Sequence, residues 1–345
     1  MLVRQMWPVK QLGLLGLRSV SRANIWPGLS ALAGNSLRVL MYHRVCDPDA
    51  HGFFGMKSVV SARPDQFAAQ MDYISKYYNP ISIGQCVSWI YENKPLPSRA
   101  VLITFDDGYR DNMTIALPIL SARNIPFSVF VATGYLDDEQ AFFWDWASEA
   151  FCQSHVKAGY LPELGDRNWT NGCSQAIAAE WINAVAPLGG NARASAIAGL
   201  SGILDFPVTR PPAGTYLTWA DLEELSRQGC TIGAHTVTHP MMIGLSAGQA
   251  RYELATSKAE LEKRLGTPIS SFAFPFGRTD EYDTAYLPLL SELGFKIAFR
   301  STGAFNLRSE CRRNPYEVRR CGIGLNDTLE DVAFCVSGVP RLWQH

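Results

Sequence analysis

The sequence predicts an α/β chain of about seven β/α units arranged as a distorted or incomplete barrel. Three observations lead there. The run Val101-Leu102-Ile103-Thr104-Phe105 reads as a buried strand that delivers Asp106, Asp107 and Gly108 to its carboxyl end. A second apolar run, Cys230-Thr231-Ile232-Gly233-Ala234, delivers His235 and His239 in the same way. Between and around them, strand-like runs alternate with helical periodicities, the order expected of parallel strands with crossover helices. In such folds the carboxyl ends of the strands carry the chemistry.

Taken in order, Leu37 to His43 reads as a strand ending at a histidine. Pro64-Asp65 opens a helix with Phe67, Met71, Ile74 and Tyr78 at three- and four-residue spacings. Ile81-Ser82-Ile83 is expected as a short strand, followed by a helix from Gly84 to Tyr91. Pro95 and Pro97 punctuate before the Asp-Asp strand. Asn112 to Arg123 is expected to be helical despite Pro118, and Phe127 to Val131 is the next strand.

Residues 134–215 interrupt this rhythm with four tryptophans (144, 146, 169 and 181) and many alanines and glycines. They read as an insertion over the catalytic rim, helical around Ser174–Ala186 and Arg193–Leu204, either a lid or platform for substrate or a packed appendage. Thr218 then caps a helix, and Ser246 opens a long one with Ala250, Leu254, Ser257, Leu261 and Leu265 on one face, closed by Gly266. Ser271 to Phe274 is a strand, Thr284 to Leu293 a helix closed by Gly294, Phe295 to Phe299 a strand, and Glu317 to Arg320 the last strand.

The 345 residues are 47% hydrophobic and 18% charged, a mix that can bury a sizeable core. A net charge of −1 marks no polyanion-binding surface, which argues against nucleic acid as a partner. Eight cysteines (46, 86, 152, 173, 230, 311, 321 and 335) are scattered without a C-x-x-C pair, and Cys230 and Cys335 sit in apolar runs as buried hydrophobes do. Such thiols fit a reducing cytosol better than a disulfide framework, so cytoplasmic residence is expected. Residues 1–34 carry Arg4, Lys10, Arg18 and Arg22 with no acidic residue. They fit peripheral contact with a membrane surface, or equally a helix packed on the domain.

Two adjacent carboxylates disfavour joint ionisation unless a positive charge sits beside them, and a metal ion meets that need. Two neutral imidazoles and one carboxylate leave coordination positions open, as catalytic metal sites do, and Asp107, His235 and His239 fit that set, sharing one face if their turn is helical. Zinc suits such ligands best, with cobalt, nickel or iron also compatible. An Asp-Asp pair alone is more often a cap, and an isolated H-x-x-x-H more often a solvated face. Together at two strand ends they outweigh those plain readings.

Thr104-Phe105-Asp106-Asp107-Gly108 with His235-Thr236-Val237-Thr238-His239 resembles the polysaccharide deacetylases, the carbohydrate esterases of NodB homology. Phe272-Ala273-Phe274-Pro275-Phe276-Gly277 resembles a third motif of that family, and the likeness spans roughly residues 38–325. The resemblance implies a (β/α) barrel of the glycoside hydrolase/deacetylase type and hydrolysis of N-acetyl groups on an N-acetylated glycan. It implies that Asp107 and both histidines hold a divalent metal and that Asp106 is the general base.

The family's usual C-terminal acid histidine has no counterpart after His239, so Met41-Tyr42-His43 is expected to bring His43 into that role, as in a circularly permuted branch. Phe274, Pro275, Phe276 and Gly277 would form the loop whose backbone N–H near Phe276 holds the oxyanion. The arginine that normally opens this motif is replaced by Phe272 and Ala273; Arg278, Arg319 and Arg320 are the candidates to orient Asp106, Arg320 first among them. Trp144-Asp145-Trp146 resembles the segment that lines the acetyl pocket, with a core tryptophan and a capping aspartate as the plainer reading.

The organisation expected is a basic amphipathic segment over 1–36, a catalytic domain over 37–330 with its core motifs in 97–280, and a tail over 331–345. Two rival functions stand beside the glycan deacetylase. One is a deacylase of a lipid-linked sugar or small non-sugar amide, told apart by the insertion and N-terminal segment. The other is a non-catalytic carbohydrate-binding protein, which loss of a ligand or base would favour.

Overall fold

The computed structural model describes residues 36–169, 174–303 and 305–338. Residues 1–35 of the expected amphipathic segment over 1–36, and Cys173, lie outside the described residues. The chain opens with β1 (Ser36–Tyr42), then β2 (Arg44–Val45) and β3 (Val60–Ala62), which pair only with each other. Helix α1 (Pro64–Tyr77) follows, with Pro64 in its first turn and Phe67, Met71 and Ile74 buried. The strand expected at Ile81–Ile83 is instead β4 (Asn79–Pro80), because Ser82 caps α2 (Ile83–Tyr91) by accepting the Gln85 N–H.

β5 (Ala100–Phe105) carries the two aspartates. After it, Asn112–Ala116 is a π-helical turn that passes into α3 (Leu117–Ser121), with Pro118 near the start of the regular helix where its missing N–H does no harm. β6 (Phe127–Val131) leads into the insertion: α4 (Phe143–Gln153), the hairpin β7 (Ala158–Leu161) and β8 (Gly165–Asn168), α5 (Ser174–Val185) and α6 (Gly190–Leu204). The insertion has a core of its own, in which Trp146, Trp169, Trp181 and Ile182 are buried with Tyr109 and Tyr216 from the barrel rim.

The barrel resumes with α7 (Trp219–Arg227), capped by Thr218, then β9 (Thr231–Ala234) and α8 (Ala247–Leu265). Ser246 caps α8 and Gly266 ends it in the left-handed conformation at φ 65°. β10 (Ser271–Ala273), α9 (Leu287–Glu292) and β11 (Ile297–Arg300) complete the expected series. β12 (Phe305–Leu307) and α10 (Arg308–Arg313) carry too little pattern to be seen in the sequence. The last strand, expected over Glu317 to Arg320, is β13 (Val318–Arg319), and it continues after Arg320 as β14 (Cys321–Gly322).

Parallel pairings run β1-β5-β6-β9-β10-β11-β13, and β14 pairs back onto β1. The single segment Val318–Gly322 therefore joins β11 to β1 and closes a ring of seven strand positions. β12 adds to the start of β1 in the antiparallel sense. Alternate residues of the strands fill the interior, among them Val39, Leu102, Phe130 and Phe299, and Trp89 of α2 belongs to the same cluster. The opposite faces, including Leu40, Phe105, Val129 and Phe272, pack under the surrounding helices.

The tail expected from residue 331 is corrected. Residues Leu329–Ser337 form α11, capped by Thr328, with Val332, Cys335 and Val336 buried in the barrel's outer core. Arg38 of β1 donates to the Val336 carbonyl at 3.0 Å. Cys230 and Cys335 are buried as expected, but Cys335 is not a free thiol: it is bonded to Cys321 of β14. Cys46, Cys86, Cys152, Cys230 and Cys311 are free thiols.

Candidate metal and catalytic site

Strand register sets the site. Tyr42 pairs with Phe105, and the Asp106 N–H donates to the Tyr42 carbonyl at 2.9 Å, so His43 and Asp106 leave neighbouring strands at one level. Val131 pairs with Ala234, and Ala234 with Phe272, which sets His235 beside the end of β10. Asp106, Asp107, His235 and His239 are all buried.

Asp107 Oδ1 lies 3.4 Å from His235 Nε2 and 3.3 Å from His239 Nε2, and the two Nε2 atoms are 3.1 Å apart. Ligands about 2.0–2.1 Å from a tetrahedral zinc ion stand about 3.3–3.4 Å from one another, so this triangle has the dimensions of three corners of such a site. Asp107 Oδ1 is buried without a hydrogen-bond partner, as is His239 Nδ1. An orphaned buried carboxylate oxygen is costly unless a cation completes it. His235 Nδ1 lies 2.8 Å from the Ala273 carbonyl, which can only accept. That bond puts the proton on Nδ1 and leaves the Nε2 lone pair facing Asp107. Burial pushes the His239 pKa down to about 4, which keeps that imidazole neutral and able to ligate. The residues present fit a divalent cation.

The His235–His239 turn is not helical, as the sequence reading required. Thr236 stands at φ 70° and His239 at φ 51°, and the left-handed turn brings the two imidazoles together. Asp107 at φ 75° and Phe276 at φ 58° share this conformation, so four of the ten described non-glycine residues with positive φ line one site. Strained backbone concentrated in this way marks a geometry the rest of the fold enforces.

Arg320 lies at the barrel seam between β13 and β14, fully buried. Its Nη1 donates to Asp106 Oδ1 at 2.7 Å and its Nη2 to Oδ2 at 2.6 Å, a bidentate pair. Burial pushes the Asp106 carboxyl up, but the Arg320 guanidinium prevails and keeps it lowered and ionised. Arg278 instead faces Asp280, and Arg319 faces Glu310, both near the surface. His43 is half-buried, its carbonyl accepting from Asn112 Nδ2 at 2.7 Å and its N–H donating to Ser61 Oγ at 2.9 Å.

The loop Phe274–Gly277 divides between packing and site. The Phe274 N–H continues the sheet to the Phe299 carbonyl at 3.0 Å, and its ring stacks on Tyr282 in the outer core, away from the cluster. Gly277 donates to the Pro275 carbonyl at 2.6 Å, and Ser301 Oγ donates to the Phe276 carbonyl at 2.7 Å. This turn sets the Phe276 ring 5.0 Å from the His239 ring and 6.3 Å from Trp144. Trp144 in turn lies 4.9 Å from His239, giving the cluster an aromatic wall.

Asp145 does not meet Asp106 or Asp107. Its carboxylate accepts from Tyr109 and Tyr216 hydroxyls at 2.7 and 2.8 Å and from the Met56 N–H at 2.9 Å. Burial raises its pKa to about 6. It ties α4 to the Asp-Asp loop and to the segment before β3, where Gly55 has no room for a side chain: a Cβ there would stand 2.5 Å from Asp145 Oδ1. Trp144 Nε1 donates to the same Tyr109 hydroxyl at 3.0 Å. Tyr109, Tyr216 and the Arg44–Asp111 pair of this network carry no signal in the sequence beyond their residue types.

The polysaccharide deacetylase family model matches residues 93–298. A poly-beta-1,6-N-acetyl-D-glucosamine N-deacetylase of Escherichia coli is 36% identical over 115 residues, covering 32% of this chain and 16% of that protein. The chain thus spans about a sixth of the length of the curated relatives it matches. Among solved structures, the Streptococcus pyogenes deacetylase PplD in complex with acetate superposes with a TM-score of 0.58 at 18% identity, over 87% of this chain and 98% of that one. IcaB from Ammonifex degensii gives 0.55 at 21% identity, over 88% and 98%. These likenesses match the barrel. The chain belongs to the polysaccharide deacetylase family.

Proposed function

We propose that the chain is a metal-dependent hydrolase that removes N-acetyl groups from an N-acetylated glycan. The observation that carries this reading is the pair of adjacent buried aspartates, Asp106 locked to Arg320 and Asp107 orphaned between two histidines. Asp107, His235 and His239 would hold the ion, zinc by its preference for nitrogen and oxygen ligands, with cobalt, nickel or iron as substitutes. When bound, such an ion supplies Lewis acidity toward water and toward an acetamide carbonyl.

The chain's own residues divide the proton work. Asp106, kept ionised by Arg320, takes a proton from the attacking water on a lone pair the guanidinium leaves free. His43, at the same level on the next strand, gives a proton to the departing nitrogen. Trp144 and Phe276 exclude water from the cluster and receive the acetyl methyl. A backbone N–H of the Phe276 turn supports the developing oxyanion.

The Escherichia coli relative's name makes β-1,6-linked oligomers of N-acetylglucosamine the first substrate to try. The test is acetate release from these oligomers by zinc-loaded protein. Asp106→Asn is expected to keep zinc and lose turnover by about 10²–10⁴-fold, and Asp107→Asn to lose zinc. His43→Ala with full turnover would remove the acid role alone. Zinc binding without acetate release from any N-acetylated glycan would overturn the substrate, and no zinc binding would overturn the metal centre.

A further inference from the structure

The loop that carries His235 and His239 is fastened from several sides. The Thr133 and Gly134 N–H groups donate to the Thr236 and Val237 carbonyls at 3.1 and 3.0 Å, and the Tyr135 hydroxyl donates to the Thr238 carbonyl at 3.1 Å. Thr236 Oγ1 accepts from the His239 N–H at 3.0 Å. The N–H groups of Val237 and Thr238 point at one atom, Oε2 of Glu253, at 2.7 and 2.9 Å. Thr238 Oγ1 donates to the other oxygen, Oε1, at 2.6 Å. Glu253 sits on α8 beside Leu254 and Ser257 and is itself buried.

We propose that Glu253 is the positioning residue of this metal centre, holding the two histidines at ligand spacing without touching substrate or ion. The inference rests on the metal reading above and extends it to a residue that no motif contains. Consecutive N–H groups converging on one point form a concavity that an acceptor fills. Here the turn that creates it is the one that places Thr236 and His239 at positive φ. Remove the acceptor and two backbone donors lose their partner, the buried Val237 N–H and the part-buried Thr238 N–H, so the turn relaxes toward ordinary backbone and the 3.1 Å spacing of the Nε2 atoms is lost.

Three variants test this: Glu253→Ala, Glu253→Gln and Thr238→Ala. Each is read by zinc affinity in chelator competition and by hydrogen exchange of peptides spanning 235–240 in metal-free protein. Glu253→Ala is expected to speed exchange in that segment and to weaken zinc binding about 10–100-fold. Glu253→Gln, whose carbonyl accepts both N–H groups while its amide donates to the Thr238 hydroxyl, is expected to restore most of both. Thr238→Ala removes one bond of the three and should fall between. A folded Glu253→Ala with unchanged exchange and zinc affinity overturns the proposal. So does a glutamine variant as weak as alanine, which would assign the effect to charge. If Glu253→Ala does not fold, a Thr238→Ala variant with unchanged exchange and affinity overturns it instead. If the wild type takes up no zinc, the metal reading fails and the exchange data alone decide whether Glu253 sets the loop.

Discussion

On the seam side of the site, the Asp106 carboxylate receives two guanidinium nitrogens; on the insertion side, its neighbour Asp107 faces two imidazoles and keeps one oxygen orphaned. Both aspartates are almost equally withdrawn from water, at 3% and 4% exposure, so burial does not separate them. What separates them is the cation each is given. The fold builds one in for Asp106, which leaves it an anion free to take up a proton. For Asp107 it leaves a place, shaped by two neutral histidines, for a cation from outside. In the function proposed above, identical residues one peptide apart are divided between base and ligand by what the barrel brings to each.

The largest expected effect breaks the seam side. Arg320→Met leaves a buried carboxylate unpaired and should cost about 3–5 kcal/mol in urea unfolding at pH 7. The pairing holds the Asp106 pKa below its ordinary 3.8, so its stabilisation is complete above that value and is lost as pH falls through the folded pKa. The deficit of the variant should therefore shrink toward low pH, and a deficit that stays constant from pH 7 to pH 3 would break the assignment.

The insertion side is probed next by ligand linkage. Zinc at about 100 times its Kd should raise stability by about 2.7 kcal/mol, an increment removed by chelator and absent from Asp107→Asn. A similar rise in Asp107→Asn would place the ion elsewhere.

A smaller effect is expected at Gly55. Alanine there must displace Asp145 and should destabilise by about 1–3 kcal/mol, read as a shift of the urea midpoint. Smallest is Asp145→Asn, at about 1 kcal/mol near neutral pH. The folded pKa of Asp145 is raised from 3.8 to about 6, so its contribution is greatest below 3.8 and declines as pH rises to 6. The asparagine variant should lack that decline; parallel pH profiles for the two proteins would show that Asp145 titrates as an ordinary surface acid.

Much of this arrangement is legible in the residues. Apolar strands that run into Asp106-Asp107 and His235 state both the parallel sheet and the end of it that does chemistry. Ser246, Gly266 and Thr218 mark helix ends by their chemistry alone, and the structure places caps at each. Arg320 is another matter. It is ranked first among Arg278, Arg319 and Arg320 from the residues, but the physical distinction appears only where β13 and β14 switch partners around it, turning it inward while its neighbour faces Glu310.

The left-handed turn between the histidines is hidden because threonine is a poor residue for it; only tertiary bonds, Glu253 among them, can enforce it. β12, α10 and the continuation of the last strand as β14 are too short for any period to show. Cys335 reads as a small hydrophobe because a buried half-cystine and a buried thiol share the same apolar context.

The seam also sets a timetable. A ribosome makes the chain from its N-terminus, so β5 and its two aspartates exist long before Arg320, which is 214 residues farther on. Until Val318–Gly322 inserts between β11 and β1, Asp106 has no guanidinium and the ring is open. A chain that ends before Val318 lacks both the segment that joins β11 to β1 and the guanidinium that grips Asp106. Closing the ring and pairing Asp106 are therefore one event, completed by one late stitch.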